Sequence, residues 1–312
     1  MSGGLVTLGE TMGLVAADGI GTLEYAKSFT LGIGGAESNV AIGVARLGGA
    51  ATWLGRVGPD ATGDLIERRL RAEGVHTVVI RDSAFTGLMV KYRRTGALLH
   101  VDYHRQGSAG SRLVPADVPA DLVTGARILH VTGITPALSD TARATVFHAV
   151  ETARSAGVTV SVDVNYRSKL WSRYDAGPVL RDLVSRADIV FAGPEEAAVL
   201  LGPDVPAADG LAALGPTEVV IKDGARGCTA LIAGDRFSVK ALEVKVVDPV
   251  GAGDAFVAGY LSDHLAGAEP ADRLAIAIAA GAFAVTVPGD CEGLPSRADL
   301  TTLLTATDNV AR

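Results

Sequence analysis

From Ile128 onward the apolar residues fall into short β-branched blocks separated by stretches with helical spacing. ILHVTG (Ile128 to Gly133) leads into DTARATVFHAVETARSAG, then VTVSVDV, GPVLRDLVSRA, DIVFAG and PEEAAVLLG. Strand and helix alternating in this way predict an α/β fold: a mostly parallel sheet with helices on both faces. The strand-like blocks are apolar at odd and even positions alike, as strands buried on both sides require. In such sheets ligands bind beyond the carboxyl ends of the strands. The longest apolar run, LAIAIAAGAFAVTV from Leu274, is too short to cross a bilayer and predicts a buried helix. EVKVV, residues 243–247, predicts a further strand shortly before the helically spaced AFVAGYL.

Two segments break the rhythm. Residues 14–33 carry no helical spacing, and GLMVKYRRTGALLHVDYH (Gly87 to His104) reads as two β-like runs around Thr95 and Gly96, a hairpin pattern. Both lie between α/β elements, so they predict one small accessory sheet built from about 13–33 and 86–106. Residues 1–312 then read as a single large α/β domain with this appendage. The small sheet is either a lid over a ligand or an edge extension; periodicity leaves both open. If one of its faces is apolar, it invites pairing with a second copy, so a homo-oligomer is expected, a dimer or an assembly of dimers.

Composition removes several function classes. Hydrophobic residues make up 48% of the chain and the net charge is -7, with no dense run of Lys or Arg, so nucleic acid is not an expected partner. An anionic ligand has to be held by local cations. The opening MSGGLVTLGE lacks the charged and apolar regions of a secretory signal. The expectation is a cytoplasmic protein with no membrane partner. Cys228 and Cys291 alone form neither a disulfide framework nor a metal cluster, and the six histidines lack metal-ligand spacing.

The most chemical stretch is DPVGAGDAF, Asp248 to Phe256. A helix start exposes unpaired N–H groups and the positive end of a dipole, and glycine lets an anion approach the backbone. Gly251, Ala252 and Gly253 would form such an anion cradle. Asp254 in the first turn could simply stabilise the helix, by roughly 0.5–2 kcal/mol. Beside a phosphate site, however, a carboxylate repels the ligand unless it has another task. That task is accepting the proton of a hydroxyl that attacks phosphorus while the amides offset charge on the transferring group. The helix dipole is expected to keep Asp254 ionised. Other phosphate motifs fail: no lysine follows a glycine, as a P-loop needs, and GIGGAE at Gly32 to Glu37 lacks the third glycine of a dinucleotide fingerprint.

GIGGAESNVAIGVARLGG (Gly32 to Gly49) and VVDPVGAGDAFVAGYL (Val246 to Leu261) resemble the two signature regions of the ribokinase-like, PfkB-type sugar kinases, and the resemblance runs over essentially the whole chain. It implies a three-layer α/β/α sandwich with a β-sheet lid, ATP with Mg2+, and phosphorylation of a sugar hydroxyl. It leaves open a monovalent cation such as K+. Carried over by position, it makes Asp254 the catalytic base, with Gly251, Ala252 and Gly253 as the anion hole. Gly34, Gly35 and Asn39 match the sugar signature: paired glycines admit a polyol close to the backbone, and an amide both donates to and accepts from hydroxyls. The two glycines also suit a tight turn before the helix. VIKDGARGC resembles the nucleotide loop, with Lys222, Gly224, Ala225 and Gly227 beside adenosine and phosphates, although a strand ending in DGARG is also an ordinary turn. Family members often carry Asn-x-x-Glu for the Mg2+ network; here Gly193 stands at the Asn position and Glu196 is kept, as an indirect metal residue or a first-turn acid. Pro249 replaces a frequent Thr and fixes the turn.

The sugar is addressed by HRQGSAGS (His104 to Ser111) and DVNYRSKLW (Asp163 to Trp171). Arg105 follows the hairpin; Asp163, Asn165 and Arg167 follow a strand at its carboxyl end. Arginine takes a carboxylate in a bidentate fork, so two of them suit a sugar acid; Arg167 alternatively serves ATP phosphates together with Asn165. Both texts are similar to those of the keto-deoxy-sugar-acid kinases within the family, with Tyr103, Arg105 and Arg167 at substrate-contact positions. Met89 stands where relatives can carry an aromatic residue. The resemblance implies a small sugar or sugar-acid substrate, with 2-keto-3-deoxygluconate first and fructose or 5-dehydro-2-deoxygluconate as alternatives. A vitamin or nucleoside kinase, and a non-enzymatic sugar- or nucleotide-sensing module, complete the field.

Overall fold

Short apolar blocks become strands because both of their faces find a helical layer. The computed structural model describes residues 3–96 and 98–310, so the predicted hairpin turn is seen at Thr95 and Gly96 while Ala97 lies outside the described residues. Among the described residues, nine strands form the main sheet: β1 (Leu5–Leu8), β4 (Ala51–Val57), β5 (His76–Arg81), β8 (Ile128–Thr132), β9 (Thr159–Asp163), β10 (Ile189–Ala192), β11 (Glu218–Lys222), β12 (Cys228–Ile232) and β13 (Asp235–Val239). Their order is β13-β12-β11-β10-β9-β8-β1-β4-β5. Pairing is parallel from β11 to β5 and antiparallel for β11/β12 and β12/β13.

Alternating side chains divide the interior into two cores. On one face Leu5, Trp53, Ile128, Phe191 and Val220 pack with α1 (Ala36–Arg46), α2 (Ala61–Ala72), α8 (Ala252–Leu265) and α9 (Pro270–Ala284). Their neighbours Val6, Leu54, Leu129, Val190 and Val219 pack on the other face with α3 (Ala120–Thr124), α4 (Asp140–Ser155), α5 (Arg173–Val184), α6 (Pro194–Leu201) and α7 (Ala207–Ala212). The last helix, α10 (Arg297–Val310), contributes Leu300 to the first core. This is the expected three-layer sandwich. No helix among the described residues is long and apolar enough to cross a membrane.

The two segments that broke the rhythm form the four-stranded small sheet, in the order β3-β2-β6-β7. Its strands are β2 (Met12–Ile20), β3 (Phe29–Gly34), β6 (Leu88–Arg93) and β7 (Leu99–His104). Met12, Leu14 and Met89 are buried on one face, and Phe29 and Leu31 are exposed on strand β3.

One expected strand is absent. EVKVV runs as an extended loop: Val246 and Val247 are 60% and 40% exposed, and the Val247 N–H donates to the Val285 carbonyl (2.7 Å). Its period of two arises from charged residues interleaved with valines, without a strand neighbour to pair with. The helix carrying GAGD is therefore entered from a loop.

Candidate active site

Two helix starts meet at the carboxyl ends of the strands. Gly43 of α1 faces Ala258 of α8 so closely that a Cβ on Gly43 would lie 2.5 Å from the Ala258 Cβ. One turn earlier on each helix stand Asn39 and Asp254, and the Asn39 amide reaches Asp254 Oδ2 at 2.8 Å. The same Nδ2 donates to Asp290 Oδ1, also at 2.8 Å. Asn39 is buried, and its Oδ1 has no partner. A buried acceptor left in this way is suited to a donor brought by a ligand.

Gly251 precedes α8 in the left-handed region (φ 78°, ψ -9°), and a Cβ there would lie 2.3 Å from the Asp290 carbonyl oxygen. Glycine is required on both counts. The turn aims the start of α8, with Ala252, Gly253 and Asp254, at the cleft. Lys222, at the end of β11, puts its Nζ 3.6 Å from where a Gly253 Cβ would be, and the same ammonium pairs with Asp163 Oδ2 at 2.6 Å. Burial works against the Lys222 charge, but the Asp163 and Glu196 carboxylates raise its pKa. A fixed cation thus stands beside free helix-start amides, an arrangement that binds phosphate-like anions.

Asp254 corrects one expectation. Burial, and then the negative charge of Asp290, push its pKa up to about 7, against the pull of the Asn39 hydrogen bond. First-turn placement stabilises an anion by only about 0.3–1 kcal/mol, whereas each pKa unit is about 1.4 kcal/mol. Desolvation therefore wins over the dipole. Asp290 is itself raised to about 6, mainly by burial. The pair sits in the range where a general base works near neutral pH.

The residues expected on the substrate side gather around Tyr103 and Glu10, with one reassignment. Tyr103 stands opposite Met89 across the β6/β7 ladder, and the Met89 Cε and Asp290 Oδ2 lie 2.6 and 1.9 Å from where a Gly34 Cβ would be. Gly35 is hemmed in by the Glu10 carbonyl oxygen, 2.5 Å from its missing Cβ. These glycines let protein atoms, Asp290 above all, crowd the backbone. Arg105 Nε and Nη2 both engage Glu10 Oε2, at 2.7 and 2.5 Å, and Ser108 donates to Glu10 Oε1. Glu10 is buried, so Arg105 is pre-oriented, with its guanidinium carbon 5.8 Å from the Tyr103 ring centre. Lys169 lies 5.7 Å from the same ring and donates to the Val101 carbonyl of the small sheet (3.2 Å). Arg167 is about half exposed, 3.8 Å from Glu196 Oε1, and its charge acts on both Asp254 and Tyr103.

Among the residues expected to hold nucleotide, Asn165 is buried in a left-handed conformation (φ 41°) beside Asp163. Gly224 and Ala225 are exposed in a turn at the end of β11. Gly227 (φ 97°) is a tight-turn glycine, since a Cβ would meet the Val239 carbonyl oxygen at 2.0 Å. Glu196 accepts the Gly193 N–H at 2.7 Å; burial, and the like charge of Asp163, raise its pKa against the pull of the Lys222 ammonium. No three-residue metal cluster exists among the described residues. Two interacting carboxylates, with Asp163 Oδ1 buried and unpartnered, nevertheless suit a Mg2+ held largely through water and phosphate oxygens. Asp290 and Glu10 were not identified from the sequence; their carboxylates lie outside the two glycine-rich signatures, and only the fold brings them to the cleft.

The family model for pfkB family carbohydrate kinases matches residues 3–297. The chain belongs to this family and is an ATP-dependent carbohydrate kinase. It is 39% identical over 308 residues to the 2-dehydro-3-deoxygluconokinase of Bacillus subtilis (strain 168), covering 96% of this chain and 95% of that one. It is 34% identical to a fructokinase of Klebsiella pneumoniae, over 96% and 99% of the two chains. A putative ribokinase II from E. coli, solved in complex with ATP and Mg2+, superposes with a TM-score of 0.90 at 25% identity, covering 98% of this chain and all (100%) of that one.

Proposed function

We propose that this kinase phosphorylates the terminal hydroxyl of 2-keto-3-deoxygluconate (2-dehydro-3-deoxygluconate) to give the 6-phosphate. The observation that carries the reading is a pair of arginines, Arg105 locked by Glu10 beside Tyr103 and Arg167 half free with its charge acting on Asp254, in a protein of net charge -7. Such a pair suits a carboxylate-bearing sugar. The similarity to the Bacillus subtilis kinase supports the same choice.

In this reading the small sheet acts as a lid that excludes water over the sugar. Asn39 Oδ1 takes a sugar hydroxyl. The terminal hydroxyl oxygen attacks the γ-phosphorus of ATP in line, its proton passes to an Asp254 carboxylate oxygen, and ADP leaves. The first-turn amides of α8 and Lys222 offset charge on the transferring group. Asp163 and Glu196 would hold Mg2+, which neutralises phosphate charge when bound.

The test is a coupled ADP-release assay with the keto-deoxy acid, fructose, 5-dehydro-2-deoxygluconate, adenosine and pyridoxal. The highest kcat/KM is expected for the keto-deoxy acid. A preference for fructose would move the assignment to the alternative that the Klebsiella pneumoniae relative represents. Arg167→Met should raise the KM for the sugar acid about 10–100-fold, the equivalent of one lost charged hydrogen bond, with little change in the KM for ATP. The opposite pattern would assign Arg167 to the nucleotide.

A pH profile checks the base. Because the Asp254 pKa is raised to about 7, its proton must be lost before it can act, so kcat/KM should fall as pH drops below about 7 and level off above it. A limb inflecting near 4 would mean that an ordinary exposed carboxylate is responsible.

A further inference from the structure

Lys91 projects from β6 into the seam between the small sheet and the body, and nothing in the reaction described above uses it. It is 5% exposed; its ammonium lies 2.6 Å from Asp248 Oδ2 and donates to the Gly289 carbonyl oxygen at 2.5 Å. Arg93, on the same strand, adds a longer contact to Asp248 Oδ2 (3.4 Å) and donates to the Val247 carbonyl (2.7 Å). Asp248 is 2% exposed and accepts the Val250 N–H on Oδ1 and the Gly289 N–H on Oδ2, both at 3.2 Å.

Two short paths lead from this lysine to the reacting centre. Through Asp248 and Val250 it reaches Gly251, the residue that aims the start of α8. Through Gly289 it reaches Asp290, whose carbonyl packs on Gly251 and whose carboxylate shares the Asn39 amide with Asp254. Its charge also lowers the Asp290 pKa against the effect of burial. An apolar pair would hold such a seam without desolvating two charges. An ion pair ties the placement of the anion-binding loop to the seating of the small sheet.

We propose that Lys91 is a positioning residue for phosphoryl transfer: a small-sheet cation that sets the 248–251 loop and the 289–290 segment together, so that amides and base are aligned only when this sheet is docked. The proposal uses the kinase reaction and not the identity of the sugar, so any acceptor that the panel reveals will serve.

Lys91→Met keeps the stem and removes the charge. We expect kcat to fall about tenfold or more, as displacements of under an ångström can produce, with the KM values for ATP and sugar changed less than about threefold. Lys91→Ala opens space onto an existing cavity of about 270 Å³ lined by Lys91, Arg93, Asp248, Gly289 and Glu292. Propylammonium or methylammonium should restore its kcat saturably, while tetramethylammonium at equal ionic strength should not. Lys91→Arg should retain more activity than Lys91→Met. Hydrogen exchange of residues 248–253, measured on the same proteins, should be faster in Lys91→Met whichever acceptor is used. Wild-type kcat in Lys91→Met, or losses that follow melting temperature across all three variants without amine recovery, would overturn the proposal, as would unchanged exchange in the loop. Failure of the keto-deoxy acid as acceptor would overturn only the sugar assignment.

Discussion

Asp254→Asn is expected to turn over sugar at least ~10² times more slowly than the wild type, within the roughly 10²–10⁴ that a general base contributes, while sugar affinity persists. The amide is nearly isosteric and its oxygen can still accept from Asn39, so the site keeps its shape and loses only its proton acceptor. A second signature separates this role from a structural one. The Asp254 pKa is raised to about 7 in the folded protein against about 3.9 for an unfolded aspartate, so the folded state holds this proton more tightly. The carboxyl therefore costs stability that grows as pH rises from about 4 to about 7. Asp254→Asn should melt above the wild type at pH 8, and the gap should close towards pH 4. Loss of turnover combined with gained stability is the pattern of a residue kept for chemistry. Near-wild-type kcat would remove Asp254 from the mechanism.

Gly251→Ala should damage both fold and reaction. A left-handed backbone costs an L-residue about 1–2 kcal/mol, and a methyl group placed 2.3 Å from the Asp290 carbonyl oxygen adds about 1–3 kcal/mol of overpacking. Urea titration should show a loss of about 2–5 kcal/mol, the sum of the two costs. Shifting the amides of α8 should lower kcat by about 10²–10³, the effect of losing an oxyanion donor. Gly253→Ala is the comparison: its Cβ would meet nothing nearer than Lys222 Nζ at 3.6 Å. It should fold as well as the wild type and raise the KM for ATP, because the methyl group would occupy the anion's side of the helix. Equal behaviour of the two variants would show that the Gly251 turn relaxes freely.

The parallel sheet was legible because its strands are buried on both faces and so lack polar interruptions, as ILHVT and IVFA illustrate. The small sheet was legible for the opposite reason, a break in the alternation of strand and helix. Strand β1 was not: LVTL is four residues between glycines and a short loop, yet it is hydrogen-bonded between β8 and β4 inside the sheet, third from one edge. EVKVV misled because a period of two records alternating solvation, and a loop along a surface produces the same alternation. Within the cleft, Asn39, Gly251 and Asp254 announced themselves through residue types that a helix start exposes. Glu10 and Asp290 carry no local signal; each acts through a partner far away in the chain, Arg105 in one case and Asn39 in the other. The charge state of Asp254 was misjudged for the same reason, since the second carboxylate that opposes it lies 36 positions further along (290 − 254).

The single Asn39 amide bridges groups separated from it by 215 and 251 positions. A ribosome must therefore emit nearly the whole polypeptide, through Asp290, before this arrangement can assemble, and products of premature termination upstream of Asp290 would lack it.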